Sequence, residues 1–244
     1  VNWPMLKIVY RTDPDKIAAL LPPGISPGAN PNVNLTIYNF PVPDEPEYGI
    51  VTSVDADFDG VAGEFTLGYG IDQESAIFVS QETNGQPKYP CTTEFYRLGP
   101  QVKARCIHQG YTFVEFEGVS TGPSGPREPH QQNEWWLKYS RAVSVGGPAT
   151  DFDFPPHVVR VRSEYGTAWR EEVEGTLVLR DSPWDPLTSL LPMREQLESY
   201  LWWPTFLDRE MTLAGKLDPQ AFLPFTDTIS GSRWPGTNGG PKRG

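Results

Sequence analysis

The sequence predicts a strand-dominated α+β domain whose strands close, or nearly close, into a barrel with two or three helices beside it. Short runs rich in β-branched and aromatic residues recur along the chain, separated by turn dipeptides such as Asp59-Gly60, Asp72-Gln73 and Gln109-Gly110, a pattern of strands and tight turns. The 26 Pro and 23 Gly among 244 residues imply frequent turns while staying below the level of a low-complexity chain. The 8 Trp, 12 Phe and 10 Tyr bring enough ring area to fill a core or line a pocket.

Each element follows from its local pattern. Leu6 to Tyr10 reads as a strand, and Asp13 then opens a helix as N-cap, with Pro14 at the first helical position and Ile17, Leu20 and Leu21 on one face. Pro22-Pro23-Gly24 stops it. Val33 to Phe40 is a strand, and Pro41 to Glu47, with three prolines and three acids, is a solvated loop without EF-hand spacing. Strands are expected at 49–58, 62–70, 75–80, 92–98, 101–108 and 111–118, then at 134–144, 158–163 and 174–179. Leu190, Leu191, Leu197 and Leu201 suggest a helix within 187–203, starting near Met193 because Pro192 precedes it. Residues 1–229 form one domain in this reading, and the Gly/Pro/Ser-rich stretch 230–244 a flexible or draped tail.

Composition excludes several functions. A net charge of −11 repels a phosphate backbone, so nucleic acid is not an expected partner. The chain shows neither a bilayer-long apolar stretch nor a secretory start, which points to a soluble cytoplasmic protein with no membrane partner. Cys91 and Cys106 make no disulfide framework and no zinc pattern; they read as buried thiols. His108, His130 and His157 lack metal spacing, so no metal and no cofactor are expected. The Trp135-Trp136 and Trp202-Trp203 pairs read as core or subunit-contact residues.

Lys88 carries the chemistry. It follows the apolar run Ala76-Ile77-Phe78-Val79 and the stretch Ser80 to Pro87, and a lysine at the end of a buried strand is a candidate amine nucleophile, because desolvation disfavours the ammonium. Alone, Gly85-Gln86-Pro87-Lys88 is an ordinary exposed turn. Further segments add weight. Ile8 to Asp13 with its following helix and prolines, Asp59-Gly60-Val61-Ala62-Gly63 through Glu74 to Pro87-Lys88, Trp136-Leu137-Lys138, and Gly175-Thr176-Leu177 through Asp181, Pro186-Leu187, Leu191-Pro192 and Glu195 together resemble the acetoacetate decarboxylase-like superfamily over roughly residues 6 to 220. That resemblance implies a cone-shaped β-barrel with a few flanking helices, a homo-oligomer of four or more copies, Lys88 as the amine that condenses with a ketone, and Arg11 facing the active site. Acetoacetate decarboxylase is itself a standard example of an activated lysine.

The departures from the family pattern shape the functional reading. Where the decarboxylases carry a second lysine, this chain has Tyr89, and where they carry two glutamates it has Thr36 and Ile50 or Val51. Glu47 lies a few positions before the second, and a one-residue slip would turn it to the other face of its strand. A site that keeps the amine and the arginine suits a short 2-oxo acid such as pyruvate. Lys88 would form the iminium, Arg11 would hold the carboxylate through its planar fork, and the enamine would attack an aldehyde, with dehydration following; run backwards, the sequence hydrates an unsaturated 2-oxo acid. Tyr48 is the expected proton donor, and Asn84, Glu82 and Glu47 the expected substrate-binding groups. The competing readings are a true β-keto acid decarboxylase and a non-catalytic barrel that binds a small molecule.

Overall fold

The computed structural model describes residues 4–40, 47–125, 127–144 and 151–226. Twelve strands follow the chain: β1 Met5–Arg11, β2 Ser26–Pro27, β3 Asn32–Phe40, β4 Glu47–Phe58, β5 Val61–Ile71, β6 Lys88–Pro90, β7 Thr92–Leu98, β8 Gln101–His108, β9 Tyr111–Pro123, β10 His130–Lys138, β11 His157–Leu179 and β12 Glu195–Lys216. The helices are short: α1 Pro14–Leu20, α2 Glu74–Asn84, α3 Leu187–Leu190 and α4 Pro219–Phe222.

The strands form one sheet that closes on itself. Its order runs β10-β5-β4-β3-β1-β12-β11, and β11 pairs back onto β10, completing a seven-stranded ring. From the far end of β11 the sheet continues through β9, β8 and β7, while β6 adds alongside β5. Ring closure leaves no open edge on the paired segments, which is how a barrel disposes of its unpaired backbone groups.

Strand alternation sorts the side chains onto two faces. Leu6, Ile8 and Tyr10 of β1, Val33, Leu35 and Ile37 of β3, and Ile50 and Val54 of β4 pack into the main hydrophobic core with Phe95, Val102, Phe113 and Phe116 of β7 to β9. The intervening positions, Met5 and Lys7, Thr36, Tyr38 and Phe40, and Glu47, Val51 and Ser53, line a cavity instead. The period of two therefore builds a core and a binding chamber from the same strands.

Helix α1 is as expected, with Asp13 as N-cap and Pro14 first. Two other expectations fail. Residues 75–80 belong to helix α2, not to a strand: of the apolar run only Ile77 is buried, while Phe78 and Val79 are 65% and 61% exposed. The helix expected within 187–203, starting near Met193, is not formed: α3 ends at Leu190, before Pro192, and residues 195–216 are strand β12. Tyr200, Trp202, Trp203 and Phe206 favour an extended chain, and Pro204 would break a helix; in β12 it sits where the pairing with β11 is irregular, between Thr167 and Trp169, as proline in a sheet does. The two strands expected at 158–163 and 174–179 are parts of the single strand β11. Of the loop expected at 41–47, residues 41–46 lie outside the described residues, as does the tail at 230–244, and Glu47 belongs not to a loop but to β4, which it opens.

Candidate active site

The cavity inside the ring measures about 450 Å³ and receives side chains from all seven ring strands, from β6 and from α2. That size suits a small organic molecule.

Lys88 is brought into it by the end of α2. Gly85 follows the helix in the left-handed conformation, φ 68°, and the bonds Gly85 N–H to Gln81 O and Gln86 N–H to Ser80 O close the helix, the positive φ being one that glycine adopts without strain. Two residues later β6 begins, and its side chains alternate: Lys88 faces the cavity, and Tyr89 faces the core with its ring 4.7 Å from that of His108. His108 Nδ1 in turn lies 2.6 Å from Asp185 Oδ2, both side chains 1% exposed. The residue that stands in place of the decarboxylases' second lysine is thus turned away from the amine. Gln81 donates from its amide to the Lys88 carbonyl, tying α2 to the strand.

Lys88 Nζ lies 3.0 Å from Glu47 Oε2, with both side chains only 9% exposed. Tyr38 donates its hydroxyl to Glu47 Oε1 at 2.7 Å. Burial, and then the neighbouring Glu47 charge, holds the Tyr38 phenol well above its usual range, so Tyr38 remains a donor. Gly49, opposite Tyr38 in the β3–β4 pairing, makes the contact possible: a Cβ there would sit 2.7 Å from the Tyr38 ring. The expectation that the site has lost its acids is corrected by this arrangement. Glu47 precedes Val51 by four positions, an even offset that returns the side chain to the same face, and both line the cavity.

A second polar group occupies the neighbouring wall. Tyr69 pairs with Lys88 across β5 and β6 and donates to Glu134 Oε2 at 2.5 Å, which also accepts from Trp136 Nε1 at 3.2 Å. Burial raises the Glu134 carboxyl above its ordinary value, opposed by the charge of Arg209. Ser53 and Gln132 both donate to Glu64. Arg209 of β12 reaches the cavity with its guanidinium 5.9 Å from the Trp136 ring centre, and it forms no ion pair with another described residue. Among the described residues no group of three metal-ligating side chains occurs.

Of the residues singled out from sequence, Lys88, Glu47 and Asn84 line the cavity and Arg11, Tyr48 and Glu82 do not. Arg11 ends β1 in a surface ion pair with Glu195, Nη1 to Oε2 2.6 Å; four residues beyond Lys7, it lies about 13 Å further along the strand. Tyr48 has the opposite parity to Glu47 and Val51, and its backbone N–H bonds Asp72 Oδ1. Glu82 is exposed on α2. Tyr38, Tyr69, Glu134 and Arg209 were missed. For Glu134 a signal existed: it is an isolated acid just before the apolar run Trp135-Trp136-Leu137. Arg209 lay beyond a segment read as helical, so its strand face was not assignable.

A closed ring of strands around an internal cavity that bears a buried lysine–glutamate pair defines the class: a β-barrel with a lysine-bearing chamber. The chain belongs to the acetoacetate decarboxylase family, whose description, Acetoacetate decarboxylase (ADC), matches residues 1–217. Its fold is similar to that of a solved acetoacetate decarboxylase, at 16% identity and a TM-score of 0.73 over 88% of each chain. An acetoacetate decarboxylase-like enzyme from Sphingomonas wittichii RW1 is similar at 18% identity and a TM-score of 0.71, over 88% of this chain and 90% of the other. The enduracididine biosynthesis enzyme MppR, solved in complex with pyruvate, is similar at 16% identity and a TM-score of 0.65, over 86% and 91%. No curated protein matches the chain by sequence.

Proposed function

We propose that this chain is a Schiff-base enzyme acting on short 2-oxo acids, joining pyruvate to an aldehyde with loss of water, or hydrating an unsaturated 2-oxo acid in the reverse direction. One observation carries the reading: the Lys88 amine stands inside the cavity with the Glu47 carboxylate 3.0 Å away. Glu47 accepts the proton that the ammonium must shed, and the neutral amine adds to the ketone carbon. Loss of water leaves an iminium, which draws electrons from the neighbouring carbon and so permits an enamine. Arg209, a guanidinium at the cavity wall with no ion pair among the described residues, takes the substrate carboxylate, the role first given to Arg11. MppR, of similar fold, has been solved with pyruvate and with the condensation product of pyruvate and imidazole 4-carboxaldehyde, and this supports the choice of substrate.

The test is borohydride reduction in the presence of pyruvate, followed by peptide mapping. The expected result is one adduct, on Lys88, absent from Lys88→Ala; modification elsewhere, or none, removes the Schiff-base reading. A second reading, β-keto acid decarboxylation, is favoured by the acids Glu47, Glu64 and Glu134 around the cavity. Against it stands Arg209, which has no ion pair among the described residues and would hold the carboxylate that decarboxylation must release. Acetoacetate is therefore expected to yield little carbon dioxide, while pyruvate with an aldehyde that cannot enolise yields a conjugated product absorbing in the near ultraviolet. Brisk carbon dioxide release with no such product would reverse the order of the two readings.

A further inference from the structure

The cavity holds two carboxyl–phenol pairs, and only one of them touches Lys88. Glu47 and Tyr38 serve the amine. Tyr69 and Glu134 stand apart from Nζ in the hydrogen-bond network, yet the Cα positions of Tyr69 and Lys88 are partners across adjacent parallel strands. Side chains so paired lie side by side on one face, and both line the cavity. The carbon that loses a proton is joined to the iminium carbon and so lies two bonds from the lysine nitrogen, where an acceptor other than the one hydrogen-bonded to Nζ can reach it.

We propose that Tyr69 and Glu134 form the proton relay for the substrate carbon, separate from the Glu47–Tyr38 pair that serves the lysine nitrogen. The inference rests on the Schiff-base reading above. In the forward step the C–H bond beside the iminium carbon breaks. Its electron pair becomes the enamine double bond, and the iminium π pair returns to nitrogen. Tyr69 oxygen accepts the proton and passes its own to Glu134 Oε2, to which it is already bonded at 2.5 Å. When the enamine carbon attacks the aldehyde, the relay runs backwards: protonated Glu134 returns a proton through Tyr69 to the new alkoxide oxygen. Protons and electrons balance within the site, with no oxidant or reductant. Burial raises the Glu134 carboxyl and holds the Tyr69 phenol well above its usual range, which suits a group that must carry a proton between two steps. The indole N–H of Trp136 on the same carboxyl oxygen keeps Glu134 oriented in both protonation states.

The experiment separates nitrogen chemistry from carbon chemistry. Pyruvate is incubated with the protein in deuterium oxide, and exchange of its methyl protons is followed by proton NMR, alongside borohydride trapping on Lys88. Tyr69→Phe and Glu134→Gln are expected to retain trapping while losing methyl exchange by about a hundredfold, the scale of a removed general acid–base group. Trapping with unchanged exchange in Tyr69→Phe, which keeps the ring and removes only the hydroxyl, would overturn the relay. Should Glu134→Gln unfold, Tyr69→Phe alone decides. Absence of trapping in the unaltered protein is a different failure, since it removes the Schiff-base reading on which the relay depends. A structural role for the pair would lower trapping and exchange together and would also overturn it.

Discussion

At the scale of single residues, the site is a set of charges placed by strand face and by height along the strand. Arg11 shares the parity of Met5 and Lys7 but ends β1 beyond the cavity they line, whereas Arg209 lies level with it. Arg209→Ala is expected to weaken pyruvate binding about tenfold, the lower end for a lost charge-assisted hydrogen bond because Arg209 is exposed. Arg11→Ala loses only a surface ion pair with Glu195 and should leave binding unchanged. Titration calorimetry on both variants decides which arginine is the anchor. Glu134 gives a prediction in pH. Its carboxyl is raised above 4.5 in the folded chain by burial, so its contribution to stability is fully present below the unfolded value and is lost as pH rises through the folded one. Glu134→Gln, whose amide oxygen still accepts from Tyr69 and Trp136, is therefore expected to melt no lower than the unaltered protein at pH 7. That relative advantage should fade toward pH 4, as read by paired thermal melts.

At the scale of elements, the legible parts of the chain were those whose signal is local. Helix α1 showed itself through Asp13 and Pro14, and β7, β8 and β9 through β-branched runs between turns. Helix α2 was read as a strand because four contiguous apolar residues carry no period, and only burial reveals that Phe78 and Val79 face solvent. Strand β12 was read as a helix because Leu197 and Leu201 are four apart, a spacing that also fits one face of a strand. Lys88 was found through a likeness between distant segments, but its partner Glu47 depended on a register that one residue reverses. The junction between α2 and β6 carries its own test. Gly85 has positive φ, and a Cβ there would overlap the Lys138 Cα and Leu137 carbonyl. Gly85→Ala is expected to cost at least about 2 kcal/mol, or roughly 4 to 8 °C in Tm for a chain of this size. It should also slow adduct formation at Lys88, because the turn that aims the lysine must shift.

At the scale of the whole molecule, the ring is closed by seams of very different strength. Strands β11 and β12 pair over fifteen residue pairs, whereas β10 meets β5 in parallel through only two, Glu134 with Glu64 and Trp135 with Phe65. The cavity spans that weak seam, with Lys88 and Tyr69 on the β5 side and Glu134 and Trp136 on β10. Segments held by few backbone bonds open locally at low free energy, so amide hydrogen exchange is expected to be faster at 64–66 and 134–136 than in the β11–β12 pairing. A reduced pyruvate adduct on Lys88 that also engages the β10 wall binds only the closed ring, and a ligand selective for one state stabilises that state. The adduct should therefore slow exchange at both sides of the seam while leaving β7 to β9 unchanged, as measured by mass spectrometry of peptides from each region. Protection confined to the β6 side would show that the bound substrate reaches Lys88 without touching Glu134, and would count against a chamber that works across its own closure.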